Sequence, residues 1–347
     1  MTISRRQFLS SLAATFAASG LGITDLGTLY AATGTSTGKG YTDAHCHLVD
    51  FLQQTQGIKA LLHQADLAGV DHIQIMGLPV IKKWNAANRR RPRYYLENTD
   101  RCYYYTLTDT IVARQVQSLS EQDQSRVHPF ICGFNPTDKN GVHHIERMLE
   151  WFPGMWQGIG ELLLHRSELS MLTEGEQARA NHPSLFPVYE LAGRENLPVQ
   201  IHSDAGSKGL QEPIYLYEME EAVASFPKVR FIWCHAGYNR QLVIPSIVDD
   251  LTRLVESYDN LWIDLSWGVF EEWVCPEKQM SEAWKTLLTG HPQRFFIGSD
   301  KIGNFDQYGA AIRKYDLLFS QLPPLVAGQI ARTNFLDLIN LSTEARG

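Results

Sequence analysis

The chain reads as one α/β domain, a TIM-type (β/α)8 barrel, and three features predict it. Eight short apolar or β-branched runs recur between residues 41 and 299, amphipathic segments separate most of them, and five runs end in ionisable residues of metal-ligand type. Alternating strand and helix patterns favour a parallel sheet with helices on its outside. Eight such units favour a closed barrel over an open doubly wound sheet. No Gly-x-Gly-x-x-Gly follows the first run, so the turn of a dinucleotide-binding fold is missing.

Taken in order, the first strand is Tyr41–His45. The amphipathic segment Ile58–Leu67 follows and stops at Gly69, a residue that ends helices readily in a left-handed conformation. His72–Gly77 is the second strand, and about fifty residues pass before the third, His128–Phe134. Trp156–Glu161 is the fourth. A helical segment at Ser184–Glu195 ends before Pro198 and leads into Val199–His202. Pro213–Ser225 precedes Val229–His235, Ile244–Tyr258 precedes Leu261–Ser266, and Ser281–Leu288 precedes Arg294–Ser299. A last helical pattern spans Tyr308–Gln321.

The N-terminus follows a different logic. Ser4-Arg5-Arg6-Gln7-Phe8-Leu9 is a twin-arginine pattern, followed by a weakly apolar run to about Ile23, Ala31-Ala32, and a Gly/Thr/Ser linker. The segment resembles a twin-arginine (Tat) export signal. This predicts a signal peptide over 1–32, a linker over 33–40, and the barrel over 41–347 with a long insertion at about 79–126. The resemblance implies a bacterial protein that the Tat machinery exports already folded to the periplasm or beyond, with any metal loaded beforehand. The apolar run falls short of the roughly 20 residues a membrane span needs, so no stable span is expected.

Without residues 1–32 the net charge moves from −7 to −8, because Arg5, Arg6 and Asp25 leave. An acidic body argues against a nucleic-acid partner. Five scattered cysteines are too few for a disulfide scaffold. Three fall on expected strands as small apolar residues, whereas Cys102 and Cys275 fall in expected loops where pairing is open.

The strand ends carry the chemistry. In an extended strand, residues i and i+2 share a side, so Asp43-Ala44-His45-Cys46-His47 aims two imidazoles at one point. Cys46 then points away and packs. The fourth strand ends in Glu161, the fifth in His202, the sixth in His235 and the eighth in Asp300. A closed barrel brings such ends together at its C-terminal face. Singly, each has a structural reading: a buried histidine at His202, a helix cap at Asp300, an ion pair at Glu161. Together and in this order they read as a divalent-metal site. Asp43 either orients a ligand histidine or belongs to a buried polar pair.

These segments resemble the amidohydrolase superfamily, specifically its amidohydrolase-2-like branch, over essentially all of residues 41–340. The likeness lies in Asp43–His47, the Glu161 strand, Ile201-His202, Cys234-His235-Ala236-Gly237, Asp259–Ser266, Gly298-Ser299-Asp300, and Asn334-Phe335, which resembles the end of the final helix. It implies a barrel with one or two divalent metals per chain, zinc first, with manganese, iron or cobalt as alternatives. His45, His47 and Asp300 would hold the more buried ion, and His202 would be a further ligand. His235 would be a ligand of a second ion or a donor to substrate. Glu161 sits where many relatives carry a bridging carboxylated lysine. The implied activity is hydrolysis of an amide, lactone or ester of a small molecule, with Asp300 as general base and His235 or a metal stabilising the oxyanion.

The insertion supplies Lys82, Lys83, Arg89, Arg90, Arg91 and Arg93, then Tyr94, Tyr95 and Tyr103–Tyr105. It is either a solvated basic face or subunit contact, or a lid that sets an Arg and a Tyr over an anionic or aromatic substrate. Arg89 and Arg91 are its substrate candidates. Tyr238, Arg240 and Trp267 follow strand ends and are expected at the rim, with His165 and Arg166 as weaker candidates. Three further readings keep the same ligands: a non-oxidative decarboxylase of an aromatic or unsaturated acid, a TatD-like nuclease, and a metal-binding barrel without activity. A homo-oligomer is open.

Overall fold

The computed structural model describes residues 40–344 except 85–86, 88, 93, 98–100, 166–168 and 241. The twin-arginine segment, Arg93 and Arg166 therefore lie outside the described residues.

All eight expected strands are present and parallel. They are β1 (Tyr41–His47), β2 (Val70–Met76), β5 (Val127–Ile131), β6 (Gly158–Leu163), β7 (Val199–His202), β8 (Phe231–Trp233), β9 (Leu261–Asp264) and β10 (Phe295–Phe296). The eighth strand closes the barrel in two steps. Its first part pairs with β9, and its continuation β11 (Lys301–Ile302) pairs with β1 at Cys46 and His47. Between them the Ala44 amide donates to the Ile297 carbonyl at 3.0 Å, and the Asp300 amide to the His45 carbonyl at 2.8 Å.

The covering helices follow the apolar stripes. Ile58–Ala68 buries Ile58, Leu61, Leu62, Ala65 and Ala68, and ends at Gly69 in a left-handed conformation with φ 74°. Ile247–Ser257 buries Ile247, Leu251, Leu254 and Val255. Each fully buried aliphatic side chain contributes about 1.5–3 kcal/mol. Inside the barrel, Ala44, Met76, Phe130, Ile232 and Phe296 form a separate cluster with Phe335, Leu338 and Ile339.

Several elements differ from expectation. Leu107–Gln117 and Gly141–Trp151 are helices whose stripes were not singled out in the sequence. Tyr308–Gln321 divides into Tyr308–Arg313 and Asp316–Phe319. Asn334-Phe335 starts the final helix, Asn334–Glu344, rather than ending it, because Phe335 is the first residue of the face inserted under the barrel. The insertion opens with an antiparallel hairpin, β3 (Val80–Lys82) and β4 (Cys102–Tyr104), so Cys102 lies on a strand. All five cysteines are buried free thiols, which leaves Cys102 and Cys275 unpaired with each other.

Candidate metal centre

His45 and His47 are buried at the end of β1. Their neighbour Asp43 does not share their side. Asp43 pairs with Ile73 and Cys46 with Ile75, so β1 carries one extra residue between them. Such a bulge re-aims side chains. It sends Asp43 toward Tyr308, whose hydroxyl donates to Asp43 Oδ2 at 2.8 Å, while Oδ1 accepts the amides of Ser299 (2.8 Å) and His45 (3.1 Å). Asp43 thus ties the first strand to the eighth and does not touch an imidazole ring. Burial, partly offset by these donors, raises its carboxyl to about 6.

Both histidines are anchored through Nδ1. His45 Nδ1 donates to Asp264 Oδ2 at 2.7 Å, and His47 Nδ1 to the Gly77 carbonyl at 2.8 Å. These acceptors take the Nδ1 proton of each ring and aim each Nε2 into the site. The two Nε2 atoms lie 3.3 Å apart. At that spacing a proton or a metal cation lies between them, and a bound metal would take both nitrogens. Asp300 Oδ1 completes the group, 3.5 Å from His45 Nε2 and 3.6 Å from His47 Nε2. A tetrahedron with arms of about 2.0–2.1 Å, the usual zinc–nitrogen length, has edges of about 3.3–3.4 Å. The three donors fit that spacing.

Glu161 links this group to a second one. Its Oε2 is 3.2 Å from His47 Nε2, and its Oε1 is 2.7 Å from His202 Nδ1 and 3.7 Å from His235 Nε2. His235 Nδ1 faces the Ser266 carbonyl at 3.1 Å, which turns Nε2 toward the carboxylate. Burial opposes the charge of Glu161, but His202 and His45 outweigh it and hold the carboxyl well below its usual range. Burial likewise disfavours a charged His45, and Asp264, Glu161 and Asp300 overcome it, raising the imidazole to about 10. Asp264 is lowered in turn, burial again being outweighed, chiefly by His45. The centre holds positive charge strongly, as a divalent-metal site must.

The backbone is bent to make this arrangement. β6 bulges between Ile159 and Leu162, and a Cβ on Gly160 would come within 2.4 Å of the Gln200 carbonyl. Only glycine allows the turn that aims Glu161 inward. A Cβ on Gly298 would meet His45 Cβ at 2.6 Å, so the eighth strand also needs glycine to close over the site. His235 (φ 54°), Trp267 (φ 62°) and Asp300 (φ 47°) are all left-handed. Such conformations cost roughly 1–3 kcal/mol each and cluster at functional sites.

A cleft of about 370 Å³, counted out to solvent, stands over His47, Glu161, His202, His235 and Asp300, with His45 buried beneath them. Its walls are Phe51, Leu78, Tyr94, Tyr95 and Ile302 on one part, and Trp267 and Arg240 on another. The Trp267 ring lies 5.2 Å from that of His235 and 6.0 Å from that of His202.

The six strand-end residues therefore meet, and Arg240 and Trp267 border the cleft. Tyr238 does not reach the rim. It is fully buried, packed edge-on against Trp267 at 5.2 Å and Trp273 at 5.1 Å, because the chain turns back through left-handed His235 and Ala236. Arg89 and Arg91 do not border the cleft either. Both are exposed, and Arg91 lies over Trp84 at 5.6 Å. The insertion contributes Tyr94 and Tyr95 instead. His165 pairs with buried Glu218 at 3.0 Å. Cys46 packs in the core as expected. Asp264 was missed, although its signal was available: the seventh run, Leu261–Ser266, also carries a carboxylate near its end.

A parallel barrel with histidines and carboxylates converging on its C-terminal mouth defines the class of metal-dependent barrel hydrolases. Residues 42–300 match the family model described as amidohydrolase, and the chain belongs to that family. It is a metal-dependent enzyme of the amidohydrolase superfamily. No curated protein matches. Among solved structures, an uncharacterised TIM-barrel protein from Bordetella bronchiseptica is similar at 12% identity and TM-score 0.55, over 87% of this chain and 99% of that one. A probable 2-pyrone-4,6-dicarboxylic acid hydrolase from Acinetobacter baumannii, with citric acid bound, gives the same values. An amidohydrolase from Burkholderia multivorans with bound zinc aligns at 11% identity and TM-score 0.54, over 86% and 99%. At these identities the likeness is one of fold.

Proposed function

We propose that the protein hydrolyses an amide, lactone or ester bond of a small molecule, using one or two divalent ions, zinc before manganese, iron or cobalt. The observation that carries this reading is the pair of Nε2 atoms of His45 and His47, 3.3 Å apart, each ring fixed by its own Nδ1 acceptor, with the Asp300 carboxylate facing both. His45, His47 and Asp300 would hold one ion, and Glu161, His202 and His235 a second. A bound divalent cation supplies Lewis acidity and lowers the pKa of water at the site from 15.7 toward about 7.

The chain's own part follows from exposure. The Asp300 side chain is 13% exposed, against 3% or less for the other five. Water and substrate reach its carboxylate, so Asp300 takes the proton from the attacking water and passes it to the leaving group. His235, beside Trp267, faces the carbonyl oxygen of the substrate. The enclosing walls of Phe51, Leu78 and Tyr95 limit the water that competes with it. Those aromatic walls also favour a second reading, a non-oxidative decarboxylase of an aromatic acid.

Elemental analysis of protein purified from its native compartment tests the metal, with two atoms per chain making Glu161 a bridge and one leaving it a neighbour. No bound metal, or full activity after joint His45→Ala and His47→Ala, would sink the proposal. Release of CO₂ would select the decarboxylase. The twin-arginine pattern supports a periplasmic or secreted location. Changing Arg5 and Arg6 to Lys should then strand the protein in the cytoplasm, as fractionation would show.

A further inference from the structure

Cys234 is fully buried, yet among the described residues it is the one cysteine that belongs to none of the apolar clusters. The alternation of β8 explains where it points. Phe231 packs outward on Tyr189 of the Phe186–Arg194 helix at 5.2 Å, and Trp233 lies in the same outer core. Ile232 faces the barrel interior, so Cys234 turns inward as Ile232 does. His235 and Ala236 follow in a left-handed turn, at φ 54° and 53°. Two consecutive side chains, Cys234 and His235, thereby enter the metal centre.

The sulfur meets two residues already placed there. Cys234 Sγ, a ring nitrogen of His45 and a carboxylate oxygen of Glu161 lie within 4.8 Å of one another. His45 Nε2 is itself 3.7 Å from Glu161 Oε1, its Nδ1 being taken by Asp264. Cys234 does not border the cleft. It approaches from the barrel interior and leaves the cleft side open to water and substrate. Glu161, Asp264 and Asp300 are the carboxylates around it. A small apolar filler gains nothing from that company, whereas a soft donor completes a ligand set of nitrogen, oxygen and sulfur.

From this we infer that Cys234 is a ligand of the ion held by His45 and Glu161. It binds as a thiolate, its proton passing to solvent as the sulfur–metal bond forms. A thiolate favours zinc over manganese or magnesium, which prefer carboxylate and water. Cys234 thus sets which metal the protein takes. The inference rests on the metal centre of the proposed function and not on its hydrolytic step.

X-ray absorption by the zinc-loaded wild-type protein tests this without a variant. One sulfur at about 2.3 Å should join nitrogen and oxygen neighbours at about 2.0–2.2 Å. The cobalt-loaded protein should show a sulfur-to-cobalt charge-transfer band in the near ultraviolet. Cys234→Ser and Cys234→Ala should each bind cobalt without that band. Cys132→Ala, whose thiol lies among the interior apolar residues, should keep it. The preference for zinc over manganese, read by competition, should fall at least about tenfold in Cys234→Ser. Zinc surrounded by nitrogen and oxygen alone, a band that survives Cys234→Ser, or an unchanged metal preference would overturn the inference and leave the hydrolase reading standing. Sulfur on the zinc with no amide, lactone or ester turned over would sink the hydrolase reading alone. A protein that takes up no metal would end both.

Discussion

Asp264 chooses which nitrogen of His45 faces the cleft, through a 2.7 Å hydrogen bond to Nδ1. An amide at that position can instead donate to Nδ1 and move the proton to Nε2. Asp264→Asn should therefore weaken metal binding about 10- to 100-fold, read by competition against a chelator, while the circular dichroism spectrum stays unchanged. Asp300 acts at a different step. Asp300→Asn keeps its shape but cannot accept a proton, so kcat should fall about 10²- to 10⁴-fold with a much smaller change in KM, measured on any ester or lactone the enzyme turns over. Neither residue was equally visible beforehand. Asp300 follows an apolar run directly, whereas Asp264 sits inside Leu261–Ser266 and gains meaning only when the barrel sets it against His45.

At the scale of elements, the strand pattern was legible because parallel strands buried on both faces read as continuous apolar runs. The bulges in β1 and β6 were not. A strict i, i+2 alternation places Asp43 with the ligand histidines, and one extra residue in β1 turns it away. Of the two readings of the insertion's basic strip, the solvated face matches: the chain presents Arg89–Arg91 to solvent and delivers Tyr94 and Tyr95 to the cleft.

Another inter-strand link concerns stability. His72 Nδ1 and His128 Nε2 lie 3.1 Å apart and join β2 to β5, with His128 Nδ1 on Gln157 at 2.8 Å. Burial lowers His72 and brings His128 from 6.5 to about 4. The unfolded chain then takes up the proton first as the pH falls, so stability is complete above about pH 6.5 and declines toward pH 4. His128→Gln removes the His128 share of this dependence. Its deficit against wild type should shrink by about 2 kcal/mol between pH 7 and pH 5, measured by urea denaturation of both proteins; a constant deficit would refute the account.

For the whole molecule, the candidate metal centre joins residues from β1, β6, β7, the turn after β8 and the eighth strand, so a metal bound there should stabilise the barrel as a unit. Stripping the metal with a chelator should lower Tm by several degrees, and adding zinc back should restore it, since a ligand at about 1,000 times its Kd contributes about 4 kcal/mol. Scanning calorimetry checks both directions. The sequence by itself determined the eight-strand order and the six strand-end residues, because burial periodicity and residue type are local properties that a one-dimensional pattern records. Only the tertiary structure decided which side chains meet: Asp264 behind His45, Tyr238 beneath Trp267, Arg240 against Tyr94. Those pairings join residues from 29 to 219 positions apart, and barrel closure and backbone bulges set them, neither of which leaves a local mark in the chain.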